Sequence, residues 1–136
     1  MFNNKKIHMI GIGGISMSGI AEILLSFGTH ITGYDAFLTD ITKHLEEKGI
    51  KVSNVPNIEN VKNADIVVYT AAIHEDNEEL KYARENNKTV YERSTFLGLL
   101  MKEYENVLCI SGTHGKSTTT GMVSTIFLNA NLHPTI

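Results

Sequence analysis

Ile7-His8-Met9-Ile10-Gly11-Ile12-Gly13-Gly14-Ile15-Ser16-Met17-Ser18-Gly19 is the stretch whose reading decides the fold. An apolar run enters a glycine turn, and the turn enters a helical pattern of Ile20, Ile23, Leu24 and Phe27. Strand, tight loop and helix in that order let backbone N–H groups approach a diphosphate, with the helix N-terminus adding positive potential. The G-x-G-x-x-G fingerprint is met at Gly11 and Gly13, while its third position is Ser16 and Gly14 adds backbone freedom. A tight strand-to-helix turn without a ligand is the other reading of the same residues.

Working outward, the remaining chain repeats the strand–helix alternation. Residues 5–12 read as a strand, 14–28 as a helix closed by Gly28, and 30–34 as a second strand ending at Asp35. A helix is expected from Thr39 or Asp40 through Lys48, a brief strand at 50–52, and a polar loop with a short turn over 54–63. Asp65-Ile66-Val67-Val68-Tyr69-Thr70 is β-branched and continuously apolar at its centre, the pattern of a parallel strand covered on both faces. A helix over 77–86, a strand over 89–91 and a helix over 94–103 follow. This alternation predicts an α/β fold, a Rossmann-like doubly wound parallel sheet.

Composition sets the class. The 136 residues suffice for a real core, with 42% hydrophobic and 20% charged residues. A net charge of −3 argues against nucleic acid as a partner. No apolar run approaches the ~20 residues of a membrane span, and the loop glycines interrupt any signal-peptide core, so a cytoplasmic protein is expected. Cys109 is the one cysteine; it lies in Val107-Leu108-Cys109-Ile110 and is expected to be a buried thiol in a strand over 107–111.

That strand leads into Gly112-Thr113-His114-Gly115-Lys116-Ser117-Thr118-Thr119-Thr120, a second phosphate loop. Its lysine can reach the β- and γ-phosphates of a nucleoside triphosphate, and the Ser117 hydroxyl stands where such loops hold Mg²⁺. Ile110 occupies the position at which a strict Walker A loop has glycine.

Other positions carry two readings each. Asp35 either hydrogen-bonds a nucleotide's sugar or base or is a solvated turn residue. Thr70-Ala71-Ala72, at a strand end, either admits a ligand closely or simply packs. His114 either approaches the nucleotide or stabilises its loop. The remaining histidines show no metal spacing. The run Glu75-Asp76 with Glu78-Glu79 reads as a charged helix start.

The two loops together resemble those of the Mur ligases of peptidoglycan synthesis. The resemblance rests on His8 to Gly14, Met17-Ser18-Gly19, Tyr34-Asp35, Ala71-Ala72-Ile73, Arg93 and Gly112 to Thr120, and runs through the whole chain. Three departures stand out: Ser16 for the usual glycine, Ser117 for the usual threonine, and no Gly-His near Val55-Pro56.

The resemblance implies a ligase that uses ATP and Mg²⁺ to phosphorylate the carboxylate of UDP-N-acetylmuramate. The amine of L-alanine then attacks the acyl phosphate to give an amide. It implies that residues 1–105 are a UDP-sugar-binding domain and that 106–136 begin a truncated ATP-binding domain, so the chain alone is expected to be inactive. Gly11, Gly13, Gly14, Ile15, Ser16, Asp35, Thr70, Ala71 and Ala72 would bind the UDP moiety. Gly112, Thr113, His114, Gly115, Lys116, Ser117 and Thr118 would bind ATP, with Lys116 catalytic and Ser117 on Mg²⁺.

A related ligase that attaches a recovered peptide to the same sugar nucleotide, and an NAD-dependent oxidoreductase or dinucleotide sensor, are the competing functions. Met122, Val123, Ile126, Phe127 and Ala130 form one apolar helix face. That face is expected to pack on the chain's first domain or, preferentially, on the tail of a neighbouring copy.

Overall fold

β1 (Lys6–Ile10) forms because four consecutive apolar or aromatic side chains alternate between two faces that both become buried. Ile7 and Met9 enter one core, and Ile10 enters the other. The computed structural model describes residues 2–136. β1 is followed by α1 (Ile15–Ser26), β2 (His30–Tyr34), α2 (Asp40–Glu47), β3 (Lys51–Ser53), α3 (Ile58–Asn63), β4 (Ile66–Tyr69), α4 (Glu78–Glu85), β5 (Thr89–Glu92), α5 (Arg93–Met101) and α6 (Lys116–Asn129).

The five strands form one sheet in the order β3-β2-β1-β4-β5, all neighbours parallel. Ile7 pairs with Ile31 on one side and Ile66 on the other, so β1 is the central strand. The chain winds outward from β1 to β3, then restarts at β4. That reversal opens the crevice at the carboxyl ends of β1 and β4, the place where open α/β sheets take ligands.

Two cores flank the sheet. Met17, Ile20, Ala21 and Leu24 of α1, Leu45 of α2, and Phe96 and Leu100 of α5 pack with Ile7, Met9 and Val68. Val61 of α3 and Leu80 and Ala83 of α4 pack with Ile10 and Val67. Val67 and Val68 are fully buried on opposite faces, as the apolar run predicts. At roughly 1.5–3 kcal/mol for each large side chain taken from water, these cores supply the main drive for folding.

Local signals set the helix ends. The Asn77 side chain accepts the N–H groups of Glu79 and Leu80 at the start of α4. Gly28 (φ +72°) and Gly49 (φ +90°) follow α1 and α2 in the left-handed conformation that ends a helix.

Three expectations need correction. The segment 54–63 is not only loop: Asn57 caps α3, and Val61 anchors it in the core. Residues 107–110 form no strand, because an extended segment needs a neighbour's N–H and C=O groups to make a ladder, and none pairs with it. Cys109 is therefore exposed rather than buried.

The chain divides into two compact units, one ending at Glu103 and one spanning Tyr104–Ile136. In the second, α6 buries none of its residues, and Met122, Ile126 and Leu128 are exposed. Among the described residues no helix is long and apolar enough to cross a membrane.

Candidate functional site

The first loop is shaped by what stands behind it. Gly11 has φ +83°, and a Cβ there would lie 2.4 Å from Thr70 Cγ2. Both facts demand glycine. The N–H groups of Gly11 and Ile12 donate to the Tyr34 carbonyl, which ties the loop to the end of β2. A Cβ on Gly13 would lie 2.8 Å from Asp35 Oδ2 and 3.0 Å from Thr42 Cγ2. Gly14 differs: a Cβ there meets only the Gly11 carbonyl at 3.6 Å. Its missing side chain leaves open space at the mouth of the loop.

Asp35 frames this loop. Oδ2 accepts the Gly13 N–H at 2.8 Å, and Oδ1 accepts the Phe37 N–H at 3.1 Å. Each oxygen keeps a lone pair for a further donor. The solvated-turn reading is therefore corrected in one respect, since the carboxylate is engaged in the loop itself.

Gly14 is the N-cap of α1, with no side-chain cap and no acidic residue in the first turn. The first-turn N–H groups have no partner within the helix, and the helix end carries positive potential. Ile15 is 85% exposed, and Ser16 is exposed beside it. Arg93, the first residue of α5, reaches this point and donates from Nη1 to Ser16 Oγ at 3.0 Å. A guanidinium thus stands at an uncapped helix N-terminus in the sheet's crevice. Thr70, at the end of β4, closes against Gly11, and the exposed Ala71 and Ala72 follow in its turn.

The second loop sits in the other unit. Gly115 is the N-cap of α6 with φ +76°, again with no side-chain cap and no acid in the first turn. Lys116 Nζ donates to the Gly112 carbonyl at 2.7 Å, which folds the ammonium over the loop. Thr113, His114, Ser117 and Thr118 are exposed around it. Thr120 instead turns its hydroxyl back to the Lys116 carbonyl at 2.9 Å.

Sequence reasoning missed a buried polar set in the first unit. His8 and Glu79 are both fully buried. His8 Nε2 lies 3.1 Å from Glu79 Oε2, and Nδ1 lies 2.8 Å from Thr32 Oγ1. Glu79 Oε1 also accepts the Asn57 N–H at 2.7 Å. Glu79 is thus an acid in the first turn of α4, as the charged helix start predicts, and a buried acceptor as well. Its alternation with Leu80 and Ala83 on the buried side of α4 was the available signal.

A parallel sheet of this order with a glycine loop at its switch point defines a Rossmann-like domain. The profile of the Mur ligase family, catalytic domain, matches residues 6–105. The chain belongs to the Mur ligase family. It is 54% identical over 134 residues to a UDP-N-acetylmuramate–L-alanine ligase from Clostridium novyi, covering 98% of this chain and 29% of that protein.

Among solved structures, it superposes on a UDP-N-acetylmuramate–alanine ligase from Thermotoga maritima with TM-score 0.85 and 32% identity, covering 94% of this chain and 30% of the other. A murein peptide ligase from Psychrobacter arcticus gives TM-score 0.86 at 27% identity, covering 94% and 27%. The chain thus spans less than a third of the length of these relatives.

Proposed function

We propose that this chain is part of an ATP-dependent ligase that joins L-alanine to UDP-N-acetylmuramate through an acyl phosphate, and that its first unit holds the UDP moiety. The observation that carries this reading is the uncapped N-terminus of α1, with Arg93 beside Ser16, at the β1/β4 crevice. The N–H groups of Ile15 and Ser16 face the diphosphate, and Gly14 leaves room for it. Asp35 keeps the loop open and offers its remaining lone pairs to the uridine end. Thr70, Ala71 and Ala72 border the same crevice. The high identity to L-alanine ligases favours L-alanine over a peptide as the incoming amine, although the fold likeness is equal for both.

The second loop fits a nucleoside triphosphate. Backbone N–H groups at Gly115 to Ser117, a lysine and two first-turn hydroxyls make a phosphate cradle, formed by Gly112 through Thr118. The Ser117 hydroxyl is a hard oxygen donor of the kind Mg²⁺ takes. Among the described residues no cluster of His, Cys, Asp or Glu could hold a metal, so the ion would arrive with the nucleotide. Bound there, Mg²⁺ supplies charge neutralisation at the phosphates, and Lys116 adds a second positive charge. The exposed apolar residues of α6 form the surface through which copies of the chain would associate; a clean monomer by light scattering at micromolar concentration rejects that association.

Calorimetric titration with UDP-N-acetylmuramate, and separately with NAD, tests the reading. Binding of the UDP sugar without NAD binding supports it; NAD binding without UDP binding overturns it in favour of a dinucleotide-dependent oxidoreductase or sensor. Mixed with UDP-N-acetylmuramate, ATP and L-alanine, the 136-residue chain is expected to release no phosphate, because one lysine and one hydroxyl do not position both reactants.

A further inference from the structure

We propose that Ser16 is a positioning residue for Arg93, and that the guanidinium it holds is the charge reader of the diphosphate site. The inference rests on the UDP-binding reading of the first loop and adds to it a residue from the far end of the unit. Arg93 enters from the β5–α5 junction, 77 positions along the chain from Ser16. Its Nη1–H donates to Ser16 Oγ at 3.0 Å.

Among the described residues Arg93 has no carboxylate partner. The adjacent Glu92 accepts the Ser94 hydroxyl at 3.0 Å instead. The guanidinium is therefore held in place by a neutral acceptor, with its charge not neutralised. Four of its five donors remain for another acceptor.

The placement has a direction. Ser16 lies in the first turn of α1, where N–H groups point out of the helix and favour an anion. A phosphate accepting from those N–H groups would meet the guanidinium on its flank, and a planar fork suits phosphate oxygens better than a point charge does. The hydroxyl of Ser16 accepts from Arg93, so removing it frees a long side chain to explore many rotamers. Restoring the same geometry on binding then costs conformational entropy.

The test is calorimetric titration of the 136-residue chain with UDP and with uridine, at low and at physiological salt. The proteins are the wild type, Arg93→Met, Arg93→Lys, Ser16→Gly and the Ser16→Gly/Arg93→Met double variant. Arg93→Met is expected to weaken UDP binding about tenfold and to leave uridine binding unchanged, as loss of a charge-assisted contact requires. Arg93→Lys recovers part of that loss, and the salt dependence of UDP binding shrinks when the charge is removed. Ser16→Gly weakens UDP binding about threefold in the wild type and not at all in the Arg93→Met background, because Ser16 acts through Arg93.

Unchanged UDP affinity in Arg93→Met overturns the proposal. Equal losses for UDP and uridine do so too, by showing a general distortion of the loop. A Ser16→Gly effect of equal size in both backgrounds overturns the positioning role. A wild-type chain that binds neither UDP nor uridine removes the underlying reading of the site as well.

Discussion

The two glycine loops share a pattern, glycines followed by the N-terminus of a helix without a side-chain cap, yet they are made differently. The first is pressed between side chains: Thr70 stands behind Gly11, and Asp35 and Thr42 stand behind Gly13. The second is shaped by its own backbone, with Gly115 at φ +76° and nothing within 4 Å of the Cβ it lacks. Lys116, reaching the Gly112 carbonyl, is the contact that gathers it. A sheet with two cores fixes the shape of the first loop, while the second is gathered by the Lys116–Gly112 contact. A motif read from sequence therefore names a chemistry, and the packing behind it decides how rigidly that chemistry is presented.

The largest effect expected lies in the buried polar set of the first unit. Glu79→Ala leaves His8 and the Asn57 N–H without their partner in the core. It should lower the stability of the first unit by about 2–6 kcal/mol in urea unfolding, at about 1–3 kcal/mol for each of the two buried groups left unsatisfied. No comparable anchor lies beneath the second loop, since α6 has no buried residue.

Gly11→Ala comes next. Left-handed strain of about 1–2 kcal/mol and a clash with Thr70 add to a loss of about 3 kcal/mol. Gly115→Ala has the strain alone and should leave the unfolding of the first unit unchanged. Equal costs for the two glycines would erase the distinction between the loops.

Gly14→Ala separates stability from binding. Its Cβ would enter open space, so stability should change by less than about 0.5 kcal/mol, while UDP affinity drops about tenfold if that space belongs to the diphosphate. A Gly14→Ala chain that binds UDP normally would move the ligand elsewhere. The smallest effect is expected from Lys116→Met: UDP affinity stays the same, and only ATP binding weakens in parallel titrations.

The sheet was legible because its strands are short, apolar and bounded by glycine or charged residues; β2 and β4 emerge within a residue or two of their expected ends. α3 was hidden by its polar surface, since only Ile58 and Val61 mark an apolar side over six residues. Residues 107–110 read as a strand because their composition is that of one, but β structure is a property of pairs of segments and the pattern does not reveal the missing neighbour. The first loop's glycines were legible, whereas the reasons for them lie in Thr70, Asp35 and Thr42, which are distant in sequence. Arg93 matched the family pattern without a stated role; its contact with Ser16 spans most of the first unit and no local spacing encodes it. Glu79 does stand in a charged helix start, but nothing local marks its burial, since charged residues are rarely fully buried unless paired.

On the proposed reading, the first turn of α1 is a diphosphate site. Two-dimensional amide NMR of the ¹⁵N-labelled chain, titrated with UDP-N-acetylmuramate, tests it most directly. A diphosphate site there requires saturable shifts concentrated at the N–H groups of Gly14, Ile15, Ser16 and Met17 and at the Arg93 side chain, with Gly112 to Ser117 unmoved. Shifts confined to Gly112 to Ser117, or no shifts at millimolar ligand, would contradict it.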